Sequence, residues 1–428
     1  MSSVLLAFAV VLLAAVLVSS LAHRTILSTA ALFLVAGFLL GPGVTDVLEL
    51  SPNSPIVSTL SELALFAVLF TDGMRVGWRD LRSAWRLPGR ALGWGLPLTL
   101  GITALLAHYV IGLPWPEALL LGAVLAPTDP VFAAALVGNE RVPGRLRQLL
   151  NVESGVNDGL VLPFVIIFLG VSQGSGDLHL DELTLELALG IVIGVAVPWL
   201  AIKLEQSRFF SASTAYEPLN ALAIGLVVLG LAQATHANLF LAAFAAGVTV
   251  ATFGPRQRKA FEEFGELAAE LLKLAALLVF GALISPGFLG DISWQGWLFA
   301  VLALAVVRPV ALALAFVRSR LSGREQLAAM WFGPKGFASV VYGLLVLNSG
   351  IEEADLIFHL VAVTIVLSIL AHSSTDTVIA RSFDDGRATP QWQEHGPRDG
   401  QERDPGNGRG HSPGNGQERA PRDADPAP

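Results

Sequence analysis

The sequence alternates between long apolar runs and short polar connections. About thirteen of the runs approach the twenty residues that a helix needs to span the hydrocarbon of a bilayer. Few charged residues interrupt them, so the pattern predicts an all-α polytopic membrane protein with about thirteen transmembrane helices. The runs lie at approximately 4–22, 25–40, 56–72, 91–112, 116–137, 150–172, 183–204, 215–233, 237–253, 264–285, 294–317, 326–348 and 355–375.

The basic residues of the connections provide an independent test of this helix count. They fall in every second connection, and the intervening connections carry none. Because cytoplasmic loops are enriched in lysine and arginine, the alternation supports the count and predicts an external N-terminus and a cytoplasmic C-terminus. We interpret the arginines at 75–90 as facing anionic lipid of the plasma (inner) membrane, and we expect no nucleic-acid partner. The basic residues of these connections are Arg24, Arg75, Arg79, Arg82, Arg86, Arg90, Arg141, Arg145, Arg147, Lys203, Arg208, Arg256, Arg258, Lys259, Arg318, Arg320 and Arg324.

Composition narrows the class of protein further. Hydrophobic residues make up 53% of the chain and charged residues 14%, whereas a soluble protein has about 25% charged residues. The chain has no cysteine, which excludes disulfides and thiolate metal sites, and no Walker loop for ATP. We therefore expect no cofactor and no enzyme activity. After about Asp384 glycine, proline and charged residues dominate, so we predict a transmembrane domain at 1–380 and a disordered cytoplasmic tail at 384–428.

Thirteen helices divide into six, one and six. The first six and the last six then begin on opposite sides of the membrane, which is the inverted repeat common in secondary transporters. The fifth and twelfth helices correspond, and both contain helix-breaking residues: Pro-Thr-Asp-Pro at 127–130 and Gly-Pro-Lys-Gly at 333–336. Proline removes a main-chain donor and glycine weakens a helix. We therefore predict two broken helices that cross near the membrane midplane and expose main-chain carbonyls to a substrate.

Two aspartates, Asp129 and Asp158, lie within otherwise apolar segments. A charged side chain at membrane depth costs roughly 2.5–3.5 kcal/mol on insertion scales and usually marks an ion path. Ser154 precedes Asp158 by one helical turn, so the two share a helix face. The Ser154 hydroxyl, both carboxylates and a carbonyl freed at Thr128 are oxygen ligands of the kind that hard cations prefer. These residues therefore form a candidate site for a monovalent cation.

A carboxylate in such a site can hold either a proton or a cation. Burial favours the neutral, protonated form, and a bound cation also compensates the charge. Competition for one site couples the two fluxes if the cavity opens to one side at a time. A cation channel is an alternative, but it would need a continuous pore. An intramembrane aspartyl protease would use Asp129 and Asp158 as a dyad, although Gly-Val-Asn-Asp at 155–158 differs from the Gly-x-Gly-Asp of such proteases.

Four motifs carry a resemblance to a known family: Thr-Asp-Pro at 128–130, Glu-Ser-x-x-Asn-Asp at 153–158, Arg308-Pro309 and the Gly-Pro-Lys-Gly run. At this spacing they resemble the monovalent cation/proton antiporters, in the branch of prokaryotic NhaP-type and animal sodium/proton exchangers. The resemblance covers about residues 1–380. It implies exchange of Na⁺ or Li⁺ for H⁺ by alternating access, with K⁺/H⁺ efflux as the alternative, in a homodimer.

The resemblance also implies roles for individual residues. Asp158 corresponds to the main carrier carboxylate, and Asp129, Ser154 and the Thr128 region complete the cation site. Asn157 stands where the other major branch of the family has an aspartate. The Asn-Asp form implies electroneutral exchange.

Three further charged residues have predicted roles in the membrane domain. Arg308 needs a partner at membrane depth, and the resemblance implies an ion pair with Glu153. Lys335 matches a basic residue of the second broken helix, where relatives often have arginine, which implies a role in neutralising half-helix dipoles or in gating. Glu62, in the third predicted helix, is a candidate lining residue of the ion path.

Other charged residues have simpler interpretations. Asp72 lies near Arg75 at the cytoplasmic end of the third predicted helix, and we expect it to be solvated or to cap that helix. Lys273 is spaced to pair locally with Glu266 and Glu270 in the tenth predicted helix.

Overall fold

A computed structural model describes residues 2–22, 29–76, 86–129, 142–174, 180–207, 216–319 and 321–383. Every regular element among these residues is a helix, which confirms the predicted all-α class. Six of the described helices are individually long and apolar enough to cross a membrane. The predicted tail at 384–428 lies outside the described residues, as do Arg24, Arg79, Arg82, Arg141, Arg208 and Arg320.

The helices in the described part of the chain follow the predicted order. The tenth predicted run begins earlier than expected, at Pro255, and the fifth ends earlier, at Leu125. A short helical turn, Pro286–Gly290, lies between the helices that end at Leu283 and begin at Trp294. In chain order the longer helices are α1 Ser2–Ala22, α2 Thr29–Leu40, α3 Pro55–Arg75, α4 Pro88–Ile111, α5 Trp115–Leu125, α6 Gly144–Ser172, α7 Leu180–Glu205, α8 Glu217–Thr235, α9 Leu239–Phe253, α10 Pro255–Leu283, α11 Trp294–Ala315, α12 Gly323–Trp331, α13 Phe337–Leu347 and α14 Ala354–Ser382.

Helix α3 packs closely against α9. A Cβ atom at Gly73 would lie 2.5 Å from the carbonyl oxygen of Phe244, and one at Gly247 would lie 2.1 Å from that of Phe70. Only glycine lets two backbones approach so closely, as at many helix interfaces in membranes. This contact sets the rotation of α3 about its axis, and thereby the direction in which Asp72 points.

Arg308 lies directly after a distortion of α11. Residues Ala303–Val307 form a π-helical turn that ends at Arg308. Pro309 cannot donate a main-chain hydrogen bond and its ring crowds the preceding turn, and a wider turn accommodates both effects. The Arg308 side chain is then buried, with 5% of the residue exposed.

Two segments of the described chain leave the helical conformation where the sequence predicts breaks, and we refer to them as the interrupted segments. Helix α12 ends at Trp331 and α13 begins at Phe337, which confirms the predicted break at 333–336. Helix α5 ends at Leu125, and the chain is non-helical from there through Asp129. The remainder of the predicted fifth helix lies outside the described residues. The relation of the two halves as inverted repeats stays a prediction.

Candidate cation site

The two interrupted segments are hydrogen-bonded to each other at their breaks. The main-chain N–H of Asp129 donates to the carbonyl oxygen of Pro334 at 2.9 Å. The main-chain N–H of Phe337 donates to Asp129 Oδ2 at 3.4 Å, so the carboxylate lies at the positive N-terminal end of α13. A Cβ atom at Gly336 would lie 2.0 Å from the Cβ of Asp129. This close contact therefore requires a glycine at position 336.

Two side chains of α6 contact Thr128, the neighbour of Asp129. Asn157 Nδ2 donates to Thr128 Oγ1 at 2.8 Å and to the Thr128 carbonyl oxygen at 3.4 Å. The hydroxyl oxygens of Thr128 and Ser154 are 3.4 Å apart. All of these side chains are buried. Asn157 thus acts here as a hydrogen-bond donor that orients the oxygens of Thr128.

Asp158 lies one turn beyond Ser154 on α6 and is 6% exposed. The hydroxyl of Tyr342 in α13 donates to the main-chain carbonyl oxygen of Asp158 at 3.0 Å, which ties α6 to the second interrupted segment. Asp158 and Asp129 line one cavity. The structure therefore brings the predicted cation-site residues of two distant segments together. The other lining residues are Val68, Thr71, Asp72, Arg75, Glu266, Ala269, Glu270 and Lys273.

Arg308 and Glu153 form a buried ion pair between α11 and α6. Arg308 Nη1 donates to Glu153 Oε1 at 2.7 Å, and Nη2 donates to Oε2 at 3.0 Å. Such a bidentate pair is strong and directional. Arg308 Nη2 also donates to the carbonyl oxygens of Ala329 and Phe332, at 3.3 and 3.0 Å, where α12 ends. The predicted ion pair is therefore also hydrogen-bonded to the C-terminal end of α12, where the second break begins.

The family of this chain follows from its sequence. The sequence model of the family described as "Sodium/hydrogen exchanger, transmembrane" matches residues 9–381, most of the chain. The chain belongs to this sodium/hydrogen exchanger family. The matched region contains both interrupted segments and every residue of the candidate cation site.

Several relatives of this chain are known. The K(+)/H(+) antiporter NhaP of Alkalimonas amylolytica is 28% identical over 358 residues, which is 82% of this chain and 61% of the relative. The K(+)/H(+) antiporter NhaP2 of Shewanella baltica is 25% identical over 374 residues, 86% of this chain and 64% of the relative. The chain thus spans less than two thirds of the length of these relatives. The structure of the sodium proton antiporter MjNhaP1 from Methanocaldococcus jannaschii at pH 8 has the same fold, with a TM-score of 0.75 and 20% identity over 89% of this chain and 99% of that one.

Lys335 lies inside the second break. The residue is 2% exposed, and among the described residues its Nζ has no hydrogen-bond partner. Its main-chain N–H donates to Ser368 Oγ of α14 at 2.7 Å. A cation close to the C-terminal end of α12 compensates the partial negative charge of the carbonyls there. Its roles in neutralising the half-helix dipoles or in gating stay predictions.

Asp72 is a carboxylate of this cavity. Its position near Arg75 at the end of α3 agrees with the prediction, but its solvated environment was wrongly predicted. It is 8% exposed rather than solvated, and its Oδ1 lies 3.1 Å from Arg75 Nη1. It lines the cavity with Asp129 and Asp158. Like Asp129, Asp72 is an acidic residue next to an apolar run, and this pattern could have indicated a buried carboxylate. The adjacent arginine and the predicted helix end indicated a solvent-exposed carboxylate instead.

Lys273 of α10 also lines this cavity. It is 5% exposed, and its Nζ lies 2.6 Å from Glu270 Oε2, which is one of the local pairs that the spacing predicted. Glu266 pairs differently. Its Oε1 lies 3.1 Å from Nη2 of Arg75 in α3. Three helices therefore contribute charges to one cavity: α3, α6 and α10.

Glu62 has a different environment from the one predicted. The helix α3 turns Ser61 and Ala64 inward and leaves Glu62 and Leu63 on an exposed face. Glu62 is not among the described residues that line the cavity. Its predicted place on the ion path is therefore not supported, because the rotation of α3 directs Asp72 and not Glu62 inward.

Proposed function

We propose that this chain exchanges a monovalent cation for a proton by alternating access, with both ions competing for Asp158 and Asp129. The main support is the cavity in which the buried carboxylates of Asp158 and Asp129, from two separate segments, lie together. The family membership of the chain is consistent with this activity. Asp158 carries either ion, and Asp129, Ser154 and Thr128 complete the set of oxygen ligands.

The charge balance of the cavity explains the competition. Taking a carboxylate out of water costs several kcal/mol unless another charge or a proton compensates it. A buried Asp158 is therefore stable with a proton or with a bound cation, and each ion displaces the other. If the cavity opens to one side at a time, the cation can return only after exchange for a proton. No nucleotide is needed, because one ion gradient drives the other.

Na⁺ is the proposed cation, with Li⁺ as a second substrate, and K⁺ is the alternative. The family description and the name of MjNhaP1 point to sodium. The K⁺ alternative has equal support, since both relatives named above are K(+)/H(+) antiporters. Carboxylate, hydroxyl and carbonyl oxygens suit all three hard cations. The discrimination depends on the dimensions of the occupied cavity and on the hydration of each ion.

Asn157 supports electroneutral exchange. Its amide donates to Thr128 and cannot take up or release a proton. The residue that precedes Asp158 in α6 therefore does not titrate. One proton then leaves for each cation that binds. A second carboxylate at 157 would add a charge to the transported complex.

The proposed setting follows from the sequence. We propose that the exchanger works in the plasma (inner) membrane as a homodimer, with its N-terminus outside and the tail at 384–428 in the cytoplasm. The alternation of basic connections supports the orientation, and the resemblance to the antiporter branch supports the dimer. A broken helix in each inverted repeat would place the substrate near the membrane midplane.

Dye-reported ΔpH in everted vesicles, from cells that lack their own antiporters, tests the proposed exchange. Na⁺, Li⁺, K⁺ and choline are added in turn at acidic, neutral and alkaline pH. We expect Na⁺ or K⁺ to dissipate ΔpH and choline to have no effect. Asp158→Asn should abolish the response while the folded yield stays unchanged. Glu62→Gln makes the same acid-to-amide change on the exposed face of α3 and should retain exchange.

Three results would contradict the proposed function. Exchange by the Asp158→Asn variant at the wild-type rate would exclude Asp158 as the carrier. Cation movement without proton movement would indicate a channel. No response to any cation would leave the fold established but the transported substrate unidentified.

A further inference from the structure

The second break removes a main-chain hydrogen bond that an intact helix would contain. In a continuous helix, the N–H of Lys335 would donate to the carbonyl oxygen of Trp331. Here both groups contact α14 instead. The N–H of Lys335 donates to Ser368 Oγ at 2.7 Å, and His372 Nε2 lies 3.0 Å from the carbonyl oxygen of Trp331.

Ser368 and His372 are one helical turn apart and contact each other. Ser368 Oγ lies 3.2 Å from His372 Nδ1. A single assignment of protons turns the contacts into a continuous chain: Lys335 N–H to Ser368 Oγ, Ser368 O–H to His372 Nδ1, and His372 Nε2–H to the Trp331 carbonyl. Nδ1 also lies 2.8 Å from the main-chain carbonyl oxygen of Ser368, so a proton on Nδ1 is the competing assignment.

We propose that Ser368 and His372 are positioning residues. Their chain of hydrogen bonds from the Lys335 N–H to the Trp331 carbonyl, here called the relay, replaces the missing Lys335–Trp331 bond and links the two halves of the second broken helix. The relay requires the neutral ring with its proton on Nε2. An imidazolium ring would donate from Nδ1 and would leave the Ser368 hydroxyl without this acceptor. The consequence for transport rests on the proposed exchange function.

The relay lies in a closed environment. Ser368 is 0% exposed and His372 is 2% exposed. The rings of Trp331 and Phe332 flank the imidazole, with centroids 5.4 and 6.4 Å from it. Bulk water therefore cannot replace either partner if the relay is removed.

The relay is connected to the cation site by a short path. Lys335 follows Pro334, whose carbonyl oxygen accepts the main-chain N–H of Asp129. Phe337 follows two residues later and donates to the Asp129 carboxylate. A looser break at Lys335 therefore changes the position of Asp129. We expect this change to raise the KM for the cation more than it lowers kcat.

The tautomer of His372 gives the first test, and it needs no transport measurement. ¹⁵N-histidine-labelled protein in lipid vesicles is studied by NMR at neutral pH, and the His372 signal is assigned by its absence in His372→Gln. We expect the neutral ring with the proton on Nε2. We expect Ser368→Ala to populate the other tautomer as well. A proton on Nδ1 in the wild type, in either a neutral or a charged ring, would overturn the relay.

Exchange kinetics provide the second test. His372→Phe and Ser368→Ala should each raise the KM for the transported cation by at least about fivefold, with kcat changed less than about twofold. His372→Gln keeps a donor toward Trp331 and should restore part of the affinity. A KM within error of the wild type for His372→Phe would contradict the positioning role.

His359 offers a matched control on the same helix. Its Nδ1 contacts the main-chain carbonyl oxygen of Asp355, one turn earlier, as in His372. It stacks on Phe288, and among the described residues no hydrogen bond or ring contact joins it to the break. His359→Phe should therefore leave KM unchanged, and an equal rise in both variants would exclude a specific relay. If wild-type vesicles show no exchange, the proposed function fails, and the NMR result still decides whether the relay exists.

Discussion

Asp129 and Pro334 join the two interrupted segments of this chain through one main-chain hydrogen bond of 2.9 Å. The bond links the backbones at the breaks themselves, so that a shift of the second segment also moves the first. Phe337 adds a second link, from its N–H to the Asp129 carboxylate. The geometry of the cavity therefore depends on both breaks, although only one of them contributes a carboxylate.

Gly336→Ala should impair exchange with little loss of protein. The new Cβ would lie 2.0 Å from the Cβ of Asp129, so the carboxylate must move away from the end of α13. We expect at least about a tenfold loss of exchange at low cation concentration, measured by ΔpH dissipation. Gly101→Ala in α4 is the control, because a Cβ there meets nothing within 4 Å. Wild-type exchange by Gly336→Ala would show that this contact does not position Asp129.

Arg308→Ala should lower the yield and thermal stability of the folded protein. Removing one partner of a buried pair costs about 3–5 kcal/mol, because the other charge is left uncompensated. Glu153→Ala should have a similar effect, and thermal unfolding in detergent measures both. The double variant should be less destabilised than the sum of the single changes. Unchanged stability of both single variants would contradict the energetic importance of the pair.

Asn157→Asp should make exchange sensitive to the membrane potential. The change adds a second carboxylate beside Asp158 and removes the donor to Thr128. We expect wild-type exchange in proteoliposomes to be the same with and without a potential clamped by K⁺ and valinomycin, when Na⁺ is the test ion. Asn157→Asp should be slower and should respond to the potential.

Asn238 provides the control for this charge change. It caps α9, where its Oδ1 accepts the main-chain N–H of Leu241 at 2.9 Å, and aspartate is an equally good cap. Asn238→Asp should remain independent of the potential. A potential-dependent wild type would exclude electroneutral exchange.

Asp72→Asn should raise the KM for the cation by about threefold to tenfold, since a negative charge at the cavity raises the local concentration of cations. Glu266→Gln is the comparison, because Glu266 also pairs with Arg75. The Glu266 side chain is 47% exposed, against 11% for that of Asp72, and exposed charges are screened by salt. Equal effects of the two changes would mean that the loss of a partner for Arg75, and not the buried charge, controls KM.

The sequence by itself determined the features that depend on one segment at a time. Apolar runs and basic connections predicted a polytopic α-helical protein, because the bilayer sets helix length and charge orientation for each segment separately. The break at 333–336 was predictable because glycine and proline weaken a helix locally. The shared face of Ser154 and Asp158 followed from helical periodicity alone.

The tertiary structure decided which faces of different helices meet. Glu62 and Asp72 are both acidic residues of α3, and only the close contact of α3 with α9 turns Asp72 into the cavity and leaves Glu62 exposed. Ser368 and His372 carried no signal in the sequence, because the bond that they replace belongs to a different segment. The rotation of a helix about its axis is set by packing against its neighbours, and this information is distributed over the whole chain.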